Sequence, residues 1–168
     1  MTTNFERAFA ERPEIFAAWQ QLNGGIKARM DLRRYELATL AAAVRLRSSY
    51  CALAHGSVLA EQFDGPDAVQ AIVADRHAAG LDEVDVAIMD LAEKVAADAT
   101  TVTDADRDRL RALGLAEDEI FDVVLAAAAR SFFTKTLETM GVRPDSTYAG
   151  LEPGLRDALT VGLPIAVD

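Results

Sequence analysis

ELATLAAAVRLRSSYCALAHG, residues Glu36 to Gly56, decides how the chain is read. Leu37, Leu40, Ala41 and Val44 recur at spacings of three and four, the apolar stripe of a helix rather than the alternation of a strand. Asp31 is placed as the N-cap of this helix, which is expected to run to about Arg47, with Glu36 at the edge of the stripe. Ser48 or Ser49 can cap a second helix reaching about Phe63, where Asp64-Gly65-Pro66 closes it.

The same grammar extends outward. Upstream, Pro13 suits a first helical turn, Phe16, Trp19 and Leu22 follow at spacings of three, and Asn23-Gly24-Gly25 is read as a break. Downstream, helices are expected over 66–79, with Val69, Ile72 and Val73, and over 82–99, with Val84, Ile88, Leu91 and Val95. Thr103-x-x-Asp106 resembles a capping box and opens a short helix ending at Gly114. Glu117, Asp118 and Glu119 favour the positive end of the next helix, which is apolar almost all round from Ile120 to Ala129, apart from Asp122. Such a helix is normally buried, in the domain or between subunits. Gly141 ends it, and 142–168, with Pro144, Pro153 and Pro164, is read as an arm with one short helix near 153–160. No run alternates with period two for long enough to propose a sheet. The expected fold class is all-α, a single domain over 1–168 with about seven helices.

Charge narrows the partners. Seventeen Lys and Arg against 27 Asp and Glu leave −10 in a chain of 168 residues, which phosphate backbones and anionic lipid repel, so neither nucleic acid nor membrane is expected as a partner. The N-terminus has no apolar core of a signal peptide, and the longest uncharged run, 48–60, is too short to span a bilayer. One cysteine makes no intramolecular disulfide. Together these point to a soluble cytoplasmic protein. The charge is uneven: Lys27, Arg29, Arg33, Arg34, Arg45 and Arg47 stand against Asp31 and Glu36. That cluster reads either as a solvated face or subunit contact, or as a local field drawing anions towards Cys51.

With Ser48 at the N-cap, Cys51 falls in the first turn, where the helix dipole and free N–H groups favour a thiolate. His55 is one turn on, about 5–6 Å away at Cβ, and Val58, Leu59 and Gln62 share the face. Such a pair can activate a thiol, imidazole taking the proton and sulfur attacking. Equally, a buried Cys and a core His can be packing alone. A metal is not expected, because His77 is the only other strong ligand candidate and reads as a surface residue. Glu36 has Arg33 three residues before it, so a surface ion pair is one reading of it. Tyr35 and Tyr50 could border the same pocket or simply fill the core.

The segment from Glu36 to Gly56 resembles the core motif of the AhpD-like alkylhydroperoxidases, within the carboxymuconolactone decarboxylase superfamily. That motif has a Glu, a Cys-x-x-Cys beginning twelve residues later, and a His four after the second Cys. Glu36, Cys51 and His55 match by position, and Ser48 stands where the first cysteine would be. The resemblance covers 31–63 specifically and 82–141 more loosely. It implies an all-helical homo-oligomer, trimer or hexamer, without metal or organic cofactor. In the roles it implies, Cys51 attacks a hydroperoxide, His55 and Glu36 relay protons, and Ser48 caps the helix and donates to the thiolate. Ser48 cannot close a disulfide, so an external thiol reductant is implied. Two alternatives stay open: a lyase or decarboxylase acting on a small organic anion through Glu36 and His55, and a helical oligomer without catalysis.

Overall fold

The computed structural model describes residues 2–167. Its helices are α1 (Asn4–Ala8), α2 (Pro13–Lys27), α3 (Leu32–Arg45), α4 (Ser49–Gln62), α5 (Pro66–Asp75), α6 (Glu83–Asp98), α7 (Asp104–Ala112), α8 (Glu117–Thr139) and α9 (Pro153–Leu159). Short 3-10 turns follow at Ala99–Thr101 and Ser146–Gly150. No strand occurs among the described residues. None of these helices is long and apolar enough to cross a membrane.

The centre is α3, packed on α4, α6 and α8. Every residue from Tyr35 to Ala43 is buried, because small alanines let three neighbours close in around the Leu37 and Leu40 stripe. Glu36 is therefore at 1% exposure, in the core rather than at the stripe's edge. Asp31 caps α3 as expected, accepting from the Arg34 N–H at 3.0 Å, and Asp106 accepts from both the N–H and hydroxyl of Thr103 at the start of α7.

Three sequence expectations change. Gly24 and Gly25 do not break α2, which continues to Lys27 and buries Ile26. The helix after Pro66 stops at Asp75. A ninth helix, α1, was not expected; Phe5 and Phe9 pin it to Phe16 of α2 and Phe133 of α8. Trp19 stacks on Phe133 at 4.0 Å between ring centres, which seats α2 on α8. The outer face of α8 is not covered within the chain: Phe121 and Phe132 are 61% and 47% exposed.

The α3–α4 turn carries the site helix. Arg47 adopts φ +56°, the only positive φ outside glycine among the described residues. Its N–H bonds the Val44 carbonyl, and the Ser48 N–H bonds the Ala43 carbonyl, the paired closure that satisfies the last carbonyls of a helix. The arm then covers the turn. Gly162 donates its N–H to Ser49 Oγ at 2.8 Å, and a Cβ on Gly162 would sit 1.9 Å from the Arg47 carbonyl oxygen.

Candidate active site

Four helices bring their polar groups to one buried place. From α3, Glu36 lies between two partners. Lys27 Nζ of α2 donates to its Oε1 at 2.9 Å, and His55 Nδ1 of α4 meets its Oε2 at 2.5 Å. Burial alone would push the Glu36 carboxyl up, but its hydrogen bonds and attraction to His55 and Lys27 outweigh that and hold it below its ordinary value. An ionised Glu36 can only accept, so Nδ1 carries the imidazole proton and Nε2 keeps its lone pair. His55 is pushed down to about 4, chiefly by burial and by the Arg130 charge facing it, against the pull of Glu36. It is neutral at neutral pH. Its side chain, 12% exposed, is the part of the group that reaches solvent beside the half-exposed Lys27.

Cys51 is 1% exposed. Its sulfur is not hydrogen-bonded to His55; both its polar partners are on α8. The Thr134 hydroxyl donates to Sγ at 3.2 Å, and Arg130 Nη1 lies 3.8 Å from it. Arg130 is 4% exposed. Its Nη2 donates to the Tyr35 hydroxyl at 3.3 Å, and its guanidinium lies 5.8 and 5.7 Å from the ring centres of Trp19 and Phe133. The Tyr35 hydroxyl in turn donates to Asn23. Burial works against the Arg130 charge, but Cys51 and Tyr35 around it raise its basicity further, and it stays a cation.

Ser48 departs from expectation. It occupies the N-cap position, yet its hydroxyl makes no cap bond, and Oγ is buried without a hydrogen-bond partner. Neither does it reach Cys51. The left-handed turn at Arg47 commits the Ser48 backbone to Ala43, and its side chain lies near Glu138 of α8, whose Oε1 is also unpartnered. Burial pushes the Glu138 carboxyl up, with the Ser48 hydroxyl acting the other way. The ion pair suggested for Glu36 with Arg33 is absent as well: Arg33 binds Asp64 and Asp85. Arg29, Arg34 and Arg45 likewise face carboxylates. The basic cluster is thus largely structural. Lys27 alone of it meets the site, and the cation beside sulfur comes from α8. Of the tyrosines, Tyr35 borders the site, whereas Tyr50 donates to Asp145 and ties α4 to the arm. His77 is on the surface, 3.1 Å from Asp90.

Arg130 and Thr134 were not read from sequence, although a signal exists. Val123, Ala126, Ala127, Arg130, Thr134 and Leu137 form one buried helical stripe. A cation inside an apolar stripe is the informative exception.

No protein-family model matches the chain, and no curated protein does. Solved structures do match its fold. One is described as an alkylhydroperoxidase AhpD core, an uncharacterized peroxidase-related protein from Ralstonia eutropha JMP134. It superposes with a TM-score of 0.80 at 22% identity, over 87% of this chain and 78% of that one. Another, an uncharacterized peroxidase-related protein from Silicibacter sp. TM1040, gives 0.82 at 20% identity, over 89% and 80%. The all-helical AhpD-like fold is shared with both.

Proposed function

We propose that the chain is a thiol-dependent peroxidase that works with a single cysteine. The observation that supports this best is a neutral imidazole, fixed in one tautomer by a buried carboxylate, one helical turn from a buried thiol whose sulfur accepts from Thr134. Cys51 is the nucleophile. Its sulfur attacks the terminal oxygen of a hydroperoxide, the S–O bond forms as the O–O bond breaks, and sulfur is oxidised by two electrons while the peroxide becomes an alcohol. Sulfur attacks as the thiolate, and the proton taken by the departing alkoxide passes through His55 Nε2. Because Nε2 is not bonded to sulfur, the transfer runs through the bound peroxide or one water. Glu36 holds the ring and steadies its cationic form while it carries the proton. An external low-molecular-weight thiol then condenses with the sulfenic acid, releasing water, and a second thiol releases Cys51 and leaves as the disulfide.

Ser48 has no part in this cycle beyond occupying its place in the turn. The reading includes assembly of copies of this chain through the exposed outer face of α8, with Phe121 and Phe132. A monomer mass by light scattering at micromolar concentration removes that element.

The deciding experiment is intact mass during titration with hydrogen peroxide, with Cys51→Ser alongside. One added oxygen, absent in the variant and reversed by a small thiol, is the expected result. Inertness towards peroxide of a Cys51 that a small alkylating agent does reach overturns it, and the Glu36–His55 pair would then be assigned to proton shuttling on a small organic anion.

A further inference from the structure

The proposed relay makes no use of Arg130, the charge nearest to Cys51. The other buried ions of the chain meet opposite charge: Glu36 meets Lys27, Asp85 meets Arg33 and Arg34, and Asp122 meets Arg29. Arg130 meets a sulfur, a phenol and two aromatic faces. No carboxylate among the described residues is paired with it, and its Nε is buried without an acceptor. An isolated ion in a protein interior is strongly disfavoured unless something compensates it. The groups facing the sulfur define what is missing. At the sulfur are Arg130 and Thr134 from α8; around them stand Tyr35 and Glu36 from α3, Lys27 from α2, His55 from α4, and Tyr148 from the arm with Asp145 beside it. With Lys27 paired to Glu36 and His55 neutral, Arg130 is the charge there that no carboxylate contacts. Sulfur is the atom positioned to balance it.

We propose that Arg130 and Thr134 form an anion seat for Cys51, holding its sulfur as a thiolate in the resting protein and the oxygen-bearing sulfenate after reaction with peroxide. The second half rests on Cys51 being the reacting thiol; the first does not. Two donors converge on Sγ, one charged and one a hydroxyl, the arrangement that stabilises charge on an acceptor. Thr134 fixes the sulfur from the same helix face, four residues along. The remaining Arg130 Nε–H is a donor in reserve for an oxygen added to sulfur. In the reaction the thiolate attacks the terminal peroxide oxygen, the O–O bond breaks as hydroxyl passes to sulfur, and the sulfenic proton passes by His55 Nε2 to the alkoxide, leaving the sulfenate and an alcohol.

Thiolate absorbance near 240 nm at pH 7, taken as the difference from Cys51→Ser, tests the seat without peroxide. Wild type is expected to show it. Arg130→Met is expected to lower the ratio of thiolate to thiol by about tenfold or more, Arg130→Lys to keep part of it, and Thr134→Val to lower it less than Arg130→Met does. Melting temperature separates this from a structural role. Arg130→Met should melt close to wild type, since the attraction lost at the sulfur is offset by relief from burying the guanidinium. Wild-type absorbance retained in Arg130→Met overturns the proposal, as does a wild type without thiolate. If Arg130→Met does not fold, Thr134→Val decides by the same absorbance. A thiolate that depends on Arg130 but does not react with peroxide upholds the seat and overturns the peroxidase.

Discussion

Asp85 and Arg130 are both about 4% exposed, and both face α3 from a neighbouring helix. Their surroundings differ completely. Asp85 of α6 takes Arg33 on one oxygen and Arg34 on the other, and Arg33 goes on to bind Asp64. Arg130 of α8 has no carboxylate and a leftover N–H. The first arrangement ties α3, α6 and the end of α4 together, and every charge in it is answered. The second leaves a charge open at a sulfur. In the proposed seat that cation is answered by sulfur alone, not by a carboxylate. The two should therefore respond differently to removal.

Asp85→Ala is the largest expected effect. It strands Arg34 and leaves Arg33 with Asp64 alone, and breaking a buried pair costs about 3–5 kcal/mol; because Arg33 and Arg34 are 26% and 37% exposed, water recovers part of this and the lower end is expected. Arg130→Met should stay within about 1 kcal/mol of wild type. Urea denaturation of both reads the contrast, and equal losses would erase it. Next comes Gly56→Ala, beside His55 on α4. Its Cβ would meet Leu159 Cδ2 at 2.5 Å in a buried contact between α4 and α9, an overpacking worth about 1–3 kcal/mol. Peroxide reactivity per folded molecule should be unchanged, and a large fall in it would move α9 from scaffold to site.

The acid limb sharpens the contrast from the site's side. His55 is held at about 4 against an ordinary 6.5, so below pH 6.5 the unfolded chain binds the proton that the folded one refuses. Stability from this group is complete above 6.5 and is lost as pH falls towards 4. Glu36, held low, adds loss in the same direction further down. Melting temperature against pH should therefore fall less between 6.5 and 4 in His55→Gln than in wild type; parallel curves would mean that His55 titrates normally. The smallest effect is Ser48→Ala. With no cap bond and an unpartnered hydroxyl, it should change stability by no more than about 0.5 kcal/mol. A full cap loss of about 1 kcal/mol would place the Ser48 hydroxyl back on the α4 backbone.

Much of the fold was legible because local spacing governs it: the stripe after Asp31, the Thr103–Asp106 box and the acidic start of α8 all form as read. The meeting of Glu36 with His55 follows from neighbouring helices joined by a fixed turn, but Cys51 turns its sulfur to α8 rather than to His55. What stayed hidden depends on distant chain. Arg130 and Thr134 lie 79 and 83 residues from Cys51, and no spacing rule joins them. Ser48 misled for a different reason. A serine before a helix is a sound cap signal, but the left-handed Arg47 next to it, a conformation usual for glycine, redirected the side chain. In the same way Gly24-Gly25 looked like a break until Trp19 and Ile26 found their places against other helices.

The close approach of Gly162 to the α3–α4 turn sets an order of events. A growing chain makes Glu36, Cys51 and His55 early, Arg130 and Thr134 much later, and Gly162 later still. Until Gly162 emerges, the Ser49 hydroxyl lacks the donor it binds in the finished chain. The cysteine is thus made well before the α8 groups that contact its sulfur. A chain stopped after residue 159 should let a small alkylating agent reach Cys51 faster than the full chain does. Equal rates would show that α8 alone completes the enclosure, with the arm arriving afterwards.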